Sequence, residues 1–214
     1  MNKIPYLILL LFFLSIRAQG QMVVSDNRRT NLSDAKEQYK SLRSGYLIVI
    51  LPSYRTQTDH YEKVLASQPD KKTQDLIAKK QRTLFESRDK ENNEVKRKFE
   101  RYYQFSPVRF IYDNDYVIGD RAHNNHFFLN RENKPEVNLS IGEKPFLIAG
   151  EMMSHSNDKE WQDFYITYPD LTRLPEPFPD RPTKIFRGIA DLLNLVNEPK
   201  SIQTKLEKFG KKYD

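Results

Sequence analysis

The side chains of this chain best suited to hold a metal ion are His123, His126, Glu151 and His155, spaced i, i+3 and i, i+4 within each pair. Three such ligands around an open coordination position would bind Zn²⁺ and activate water, the chemistry of a metal-assisted hydrolase. The order His-Glu-x-x-His is absent, and four scattered surface histidines account for the same spacing without a metal. Asp113, Asp115 and Asp120 alternate as the opening of a calcium loop does, but the glycine and distant glutamate of an EF-hand do not follow. Asp and Asn at 113–115 are also what a tight turn requires of its backbone.

Other reaction chemistries find less support. Ser53, Ser106 and Ser140 stand near strand ends, none of them within Gly-x-Ser-x-Gly. No glycine-rich turn leads into a helix, which removes a phosphate loop. Glu151 with Asp158 or Glu160 would supply a carboxylate pair, a spacing that a solvated loop produces as readily. The remaining candidate is a binding surface. Trp161, Tyr165 and Tyr168, with Phe178 beyond, flank a proline-rich stretch, and rings beside proline bind sugars or peptides by stacking and shape. More often, rings so placed pack such a stretch onto its own sheet.

Composition narrows the setting in which these residues work. Cysteine is absent, which removes thiol catalysis, disulfides, Cys-ligated zinc and a lipid-bearing cysteine. The formal net charge of +6 includes Lys3 and Arg17, and the basic residues further on are interleaved with acids. Nucleic acid needs a coherent basic face, so it is not an expected partner. The first residues read as a secretory signal peptide: Lys3, an apolar run over 4–16, then Ala18 and Gly20 at the positions a signal peptidase recognises. That run is shorter than the roughly 20 residues that span a bilayer, so no stable transmembrane segment is expected after cleavage. The expected organisation is a signal peptide over 1–20, an exposed lead-in with a short helix over 21–44, and a single domain over 45–214.

The elements that must position any site follow from apolar periodicity. Residues 35–42 read as a short helix capped by Ser33 and ended by Gly45. Tyr46 to Leu51 is six apolar residues without alternation, the pattern of a strand buried on both faces. A short helix over 59–66 and a long one over 71–103 come next, the second starting near Asp70. No residue between Glu86 and Glu94 is apolar, which predicts a helix whose middle projects into solvent or meets a polar partner, or else a loop over 88–93.

Val108 to Tyr112 is then a strand reached by a long helical crossover, which implies parallel pairing with 46–51 in a right-handed unit. Asp113 to Asp115 reads as a turn into a returning strand over 116–118. Short strands over 126–129 and 137–139, and longer ones over 145–150 and 163–168, extend an antiparallel meander. A proline connector over 169–182 precedes a helix over 183–197 and a final helix from Pro199. The fold class is α/β of the mixed α+β kind, with a central mixed sheet, a long helical crossover after its first strand, and C-terminal helices.

Leu51-Pro52-Ser53-Tyr54, Phe105 to Asp113, Phe127-Phe128-Leu129-Asn130 and Leu174 to Pro179 occur in that order, with a long charged helix between the first two. Together they resemble a group of exported Bacteroidota proteins of no known activity, in which Cys often stands where this chain has Ser106. The resemblance implies an envelope or secreted location and names no reaction. The expectation is therefore an exported protein, periplasmic or secreted, that acts by binding another envelope protein or a glycan and uses no cofactor. The metal-assisted hydrolase is the alternative.

Overall fold

The computed structural model describes residues 22–24, 29–67, 70–118, 128–136, 138–156, 159–182 and 197–213, with the backbone alone for 153–156 and 159–162. The apolar run at Tyr46–Leu51 forms β2, and its last five residues are buried. It pairs in parallel with β3 (Val108–Tyr112) on one side and with β4 (Phe146–Ser156) on the other. β4 pairs antiparallel with β5 (Lys159–Thr167), and its far end also carries the short parallel β1 (Val23–Val24). The sheet order is β3-β2-β4-β5, with β1 beyond β2 on the same flank of β4. The mixed α/β class expected from the sequence is the class observed.

A strand buried on both faces sends alternate side chains to two cores. Leu47, Val49 and Leu51 of β2 join Phe110, Leu147, Phe164 and Ile166 on one face. That face is covered by three helices, α1 (Leu32–Ser44), the later turns of α3 (Lys71–Tyr102) and α4 (Glu198–Tyr213). Ile48 and Ile50 join Ile111, Ile148 and Met152 on the other face, where Tyr116, Phe128 and Ile141 lie against them. The connection from β2 to β3 thus runs over one face, and part of the connection from β3 to β4 over the other.

Several elements differ from their sequence expectation for identifiable reasons. α1 is capped by Asn31, whose side chain accepts from Asp34 N at 3.2 Å, and Ser33 lies inside the helix. Its Ala35, Tyr39 and Leu42 are buried in the main core, so the segment before Gly45 is part of the folded body. The shorter helix, α2, spans Arg55–Ala66 and buries none of its residues. α3 is continuous through 88–93, which removes the loop expected there, and it begins as anticipated on an Asp70 cap.

No returning strand follows Asp113–Asp115, which form one short 3₁₀ turn. Tyr116 instead buries its ring in the second core and donates its hydroxyl to Pro169 O. The meander reduces to the β4–β5 hairpin among the described residues, because Leu129 makes only an isolated bridge to Pro135 and Leu139 is in no strand. Residues 126–127 and the expected helix over 183–196 lie outside the described residues.

Gly45 shows how closely these pieces meet. A Cβ there would lie 1.9 Å from the Pro145 carbonyl oxygen, the same oxygen that accepts from Tyr46 N at 2.9 Å. Backbone cannot yield as a side-chain tip can. Gly45→Ala should therefore destabilise the fold by about 1–3 kcal/mol, whereas Leu76→Ala at an exposed position of α3 should change stability by less than about 0.5 kcal/mol. Urea unfolding of both variants checks this, and equal midpoints would contradict the close approach.

Candidate functional site

The chain leaves β2 through Pro52 and Ser53 and enters α2 at Tyr54, which sits in the left-handed region with φ 58° and ψ 28°. A bulky residue rarely adopts that backbone, and doing so costs on the order of 1–3 kcal/mol. The elbow is held from outside. Ser53 N donates to Asp113 Oδ1 at 3.0 Å, and Arg55 N donates to Ser53 Oγ at 3.2 Å. Asp113 also accepts from Asn114 N at 2.8 Å, so the acidic turn after β3 ties down the turn after β2.

α3 crosses this edge of the sheet with its hydrophobe-free middle. Asn92 is 0% exposed and donates Nδ2 to Pro52 O at 3.1 Å. One residue earlier, Glu91 receives the Tyr54 hydroxyl at 2.7 Å and the Ser87 hydroxyl at 3.1 Å, one on each carboxylate oxygen. The Arg88 guanidinium lies 4.9 Å from the Phe85 ring centroid and 5.3 Å from that of Tyr112. One face of the polar middle, at Arg88 and Asn92, thus meets a polar surface and is held by hydrogen bonds and a stacked guanidinium, while Glu86, Ser87, Lys90, Glu91 and Asn93 are exposed.

These groups surround a cavity of about 320 Å³. Its inner wall is apolar, formed by Val49, Leu51, Val95, Phe99, Met152 and Phe164. Tyr54, Glu91, Asn92, Asp113, Glu151 and Glu198 also line it. Lys98 is the basic residue of the lining, and it is held by Glu94 at 3.2 Å. The cavity lies at the carboxyl end of β2, against Glu151 and Met152 in the middle of β4. Burial raises the Tyr54 phenol well above its usual range, and the hydrogen bond and charge of Glu91, then Glu151 and Asp113, push the same way. Tyr54 is therefore a neutral donor, not a nucleophile.

The residues singled out by sequence fall differently. Of the metal set, Glu151 lines the cavity, His123 and His126 lie outside the described residues, and only the backbone of His155 is described. Among the described residues no three His, Cys, Asp or Glu side chains come together as a metal site would require. Asp115 is beside Asn114 in the 3₁₀ turn and Asp120 lies outside the described residues.

The aromatic set is largely internal. Phe178 is buried with its ring centroid 6.2 Å from that of Phe209, and Tyr165 is buried beneath the guanidinium groups of Arg173 and Arg181. Tyr168 is half-buried against the main core, and only the backbone of Trp161 is described. The buried rings of Tyr165 and Phe178 are poorly placed for open stacking on a ligand.

Sequence reasoning missed Tyr54, Glu91 and Asn92. The signal was available: 91, 92, 95, 98 and 99 share one helical face with Val95 and Phe99, so a polar stretch adjoining that stripe was a candidate wall. The chain matches no protein-family model, no curated protein and no solved structure.

Beside the cavity wall, Lys96 is buried, and its Nζ donates to Asn130 O at 2.6 Å. Desolvation lowers its pKa from 10.5 to about 8, against the opposing pull of Glu100 and Asp89. Between those two values the unfolded chain still holds a proton that the folded chain has released, so folding gains stability as pH rises through that window. Wild-type protein should therefore gain on Lys96→Met between pH 8 and pH 10.5 in paired urea titrations. A pH-independent difference would mean that the ammonium is not penalised by burial.

Proposed function

We propose that this chain is exported to the cell envelope and acts there by binding a small ligand in the cavity at the carboxyl end of β2. The observation that carries this reading is the cavity itself, with an apolar inner wall and polar groups converging on it from α3, the Tyr54 elbow, β4 and α4. Few convergent polar groups over an apolar floor is the usual composition of a small-molecule site. Binding is preferred to catalysis because the cavity pairs a neutral phenol with carboxylates and shows no activated nucleophile among the described residues. Export rests on the leader-like residues 1–20 and on the resemblance to exported Bacteroidota proteins.

Two measurements test the two halves. N-terminal sequencing of protein recovered from the envelope fraction should begin at Gln21, and an intact Met1 would remove the export half. In a fragment screen by protein-observed NMR, hits should move the amide signals of Asn92, Val95 and Met152 and leave those of Tyr168 and Phe178 in place. Val95→Trp, filling the cavity from a half-buried position, should abolish those shifts. Hits that cluster elsewhere, or shifts that survive Val95→Trp, would sink the cavity as the ligand site.

A further inference from the structure

α2 buries none of its residues, and Ile77 is the one residue that α3 buries before Asn92. At about 1.5 Å per residue, Lys72 stands roughly 30 Å along the helix axis from Asn92, so the early turns of α3 lie far from the cavity. At about 100° per residue, Lys72, Leu76, Lys79 and Thr83 share an arc of about 60°, on the side away from Ile77 and Asn92. All four are exposed, Leu76 by 52%. Residues 71–82 hold five basic side chains, Lys71, Lys72, Lys79, Lys80 and Arg82, against one acid, Asp75. Lys71, Lys72, Lys79 and Arg82 have no acidic partner among the described residues.

We infer that this stripe is a docking surface for an anionic lipid bilayer, its cations meeting lipid phosphates while Leu76 enters the boundary between headgroups and acyl chains. Unpaired cations on the exposed face of a helix are the complement of such a surface, and each Lys or Arg brought near it strengthens binding roughly fivefold. Asp75 opposes this and is outnumbered. Leu76 favours lipid over a soluble polyanion. It stands between Lys72, Lys79 and Lys80, at i−4, i+3 and i+4, and a glycan or nucleic-acid backbone would leave it in water. The headgroup boundary instead buries it beside the alkyl stems of those lysines, whose charged ends stay in the wet layer. A folded protein partner fits the composition less well, because lysine is depleted at protein interfaces and this stripe presents one apolar residue and no aromatic anchor.

The chain has no cysteine, so Leu76→Cys in the full chain takes an environment-sensitive fluorophore at that position alone. Vesicles of phosphatidylcholine with about one-third phosphatidylglycerol should shift its emission to the blue, and vesicles of phosphatidylcholine alone should not. A label at Lys208→Cys, exposed on α4, should stay unshifted with both. Lys72→Gln together with Lys79→Gln should raise the lipid concentration at half-shift by about tenfold to thirtyfold. The signal reports the surroundings of position 76, so any membrane affinity of residues 1–20 does not imitate it. An equal shift with both kinds of vesicle, or a midpoint unmoved by the two Gln substitutions, would overturn the inference. A shift with dextran sulfate and none with the anionic vesicles would overturn it in favour of a soluble polyanion. No shift with either would remove the stripe as an anionic docking surface altogether. The ligand reading of the cavity is untouched by these outcomes, since its own test follows Asn92, Val95 and Met152.

Discussion

The Pro52 carbonyl stands one residue beyond β2, and the Asn92 amide donates to it at 3.1 Å from the middle of a 32-residue helix. This bond fits one height and one rotation of α3 across the sheet. Each helical residue advances about 1.5 Å and turns about 100°, so a slip of one position would swing Asn92 away from the strand end. The same slip would take Glu91 off the Tyr54 hydroxyl and Phe99 off Phe110 and Phe164, whose ring centroids both lie 6.1 Å from its own. It would also part Lys96 from Asn130 O and Asn93 Oδ1 from Asn133 Nδ2. The polar contact at the edge of the sheet and the apolar contacts further along the helix thus agree on one register.

The polarity of that crossing explains the unusual composition of α3. Before Asn92 its one buried residue is Ile77, and from Asn92 onward it adds Lys96 and Phe99. Its earlier turns share contacts with α2, which buries nothing. A helix that must touch the carboxyl ends of parallel strands meets chain turns with exposed backbone polar groups, and side chains that hydrogen-bond are better suited there than hydrophobes. Where the helix passes over the strands themselves, Val95 and Phe99 take over.

Local pattern made much of this legible in advance. The unbroken apolar run at 46–51 identified a strand buried on both faces, and the length of chain before 108 required a crossover and hence a parallel neighbour. Asp70 was readable as a helix start because its carboxylate has the Thr73 N–H to accept from. The returning strand after Asp113 was misread because its acidic turn has a tertiary partner: Asp113 accepts from Ser53 N, 60 residues away. The same limit hid the site. Nothing in Tyr54 or Asn92 taken alone distinguishes a surface residue from one whose partner lies across the fold, and the aromatic cluster near 165–178 was readable both as a binding surface and as packing until Tyr165 was placed beneath arginines and Phe178 against α4.

Buried polar groups elsewhere in the fold show what is particular about the cavity. Arg173 and Asp180 are also buried, with side chains 7% and 4% exposed, but Nε and Nη2 both donate to Oδ2 at 3.2 and 3.0 Å, so each charge has its counterpart at hand. An orphaned atom alone does not mark a site either, since Thr167 Oγ1 is equally buried and unpartnered within β5. At the carboxyl end of β2, two local costs coincide. Tyr54 is held in a left-handed backbone, and Asn92 Oδ1 is unmatched. Costs of this kind scattered through a fold are tolerated one at a time, whereas their concentration around one opening is the pattern of a surface shaped for something other than stability. The strain at Tyr54 has a geometric consequence of the same sign: the left-handed elbow lets its hydroxyl reach Glu91 on α3, holding that carboxylate on the cavity wall.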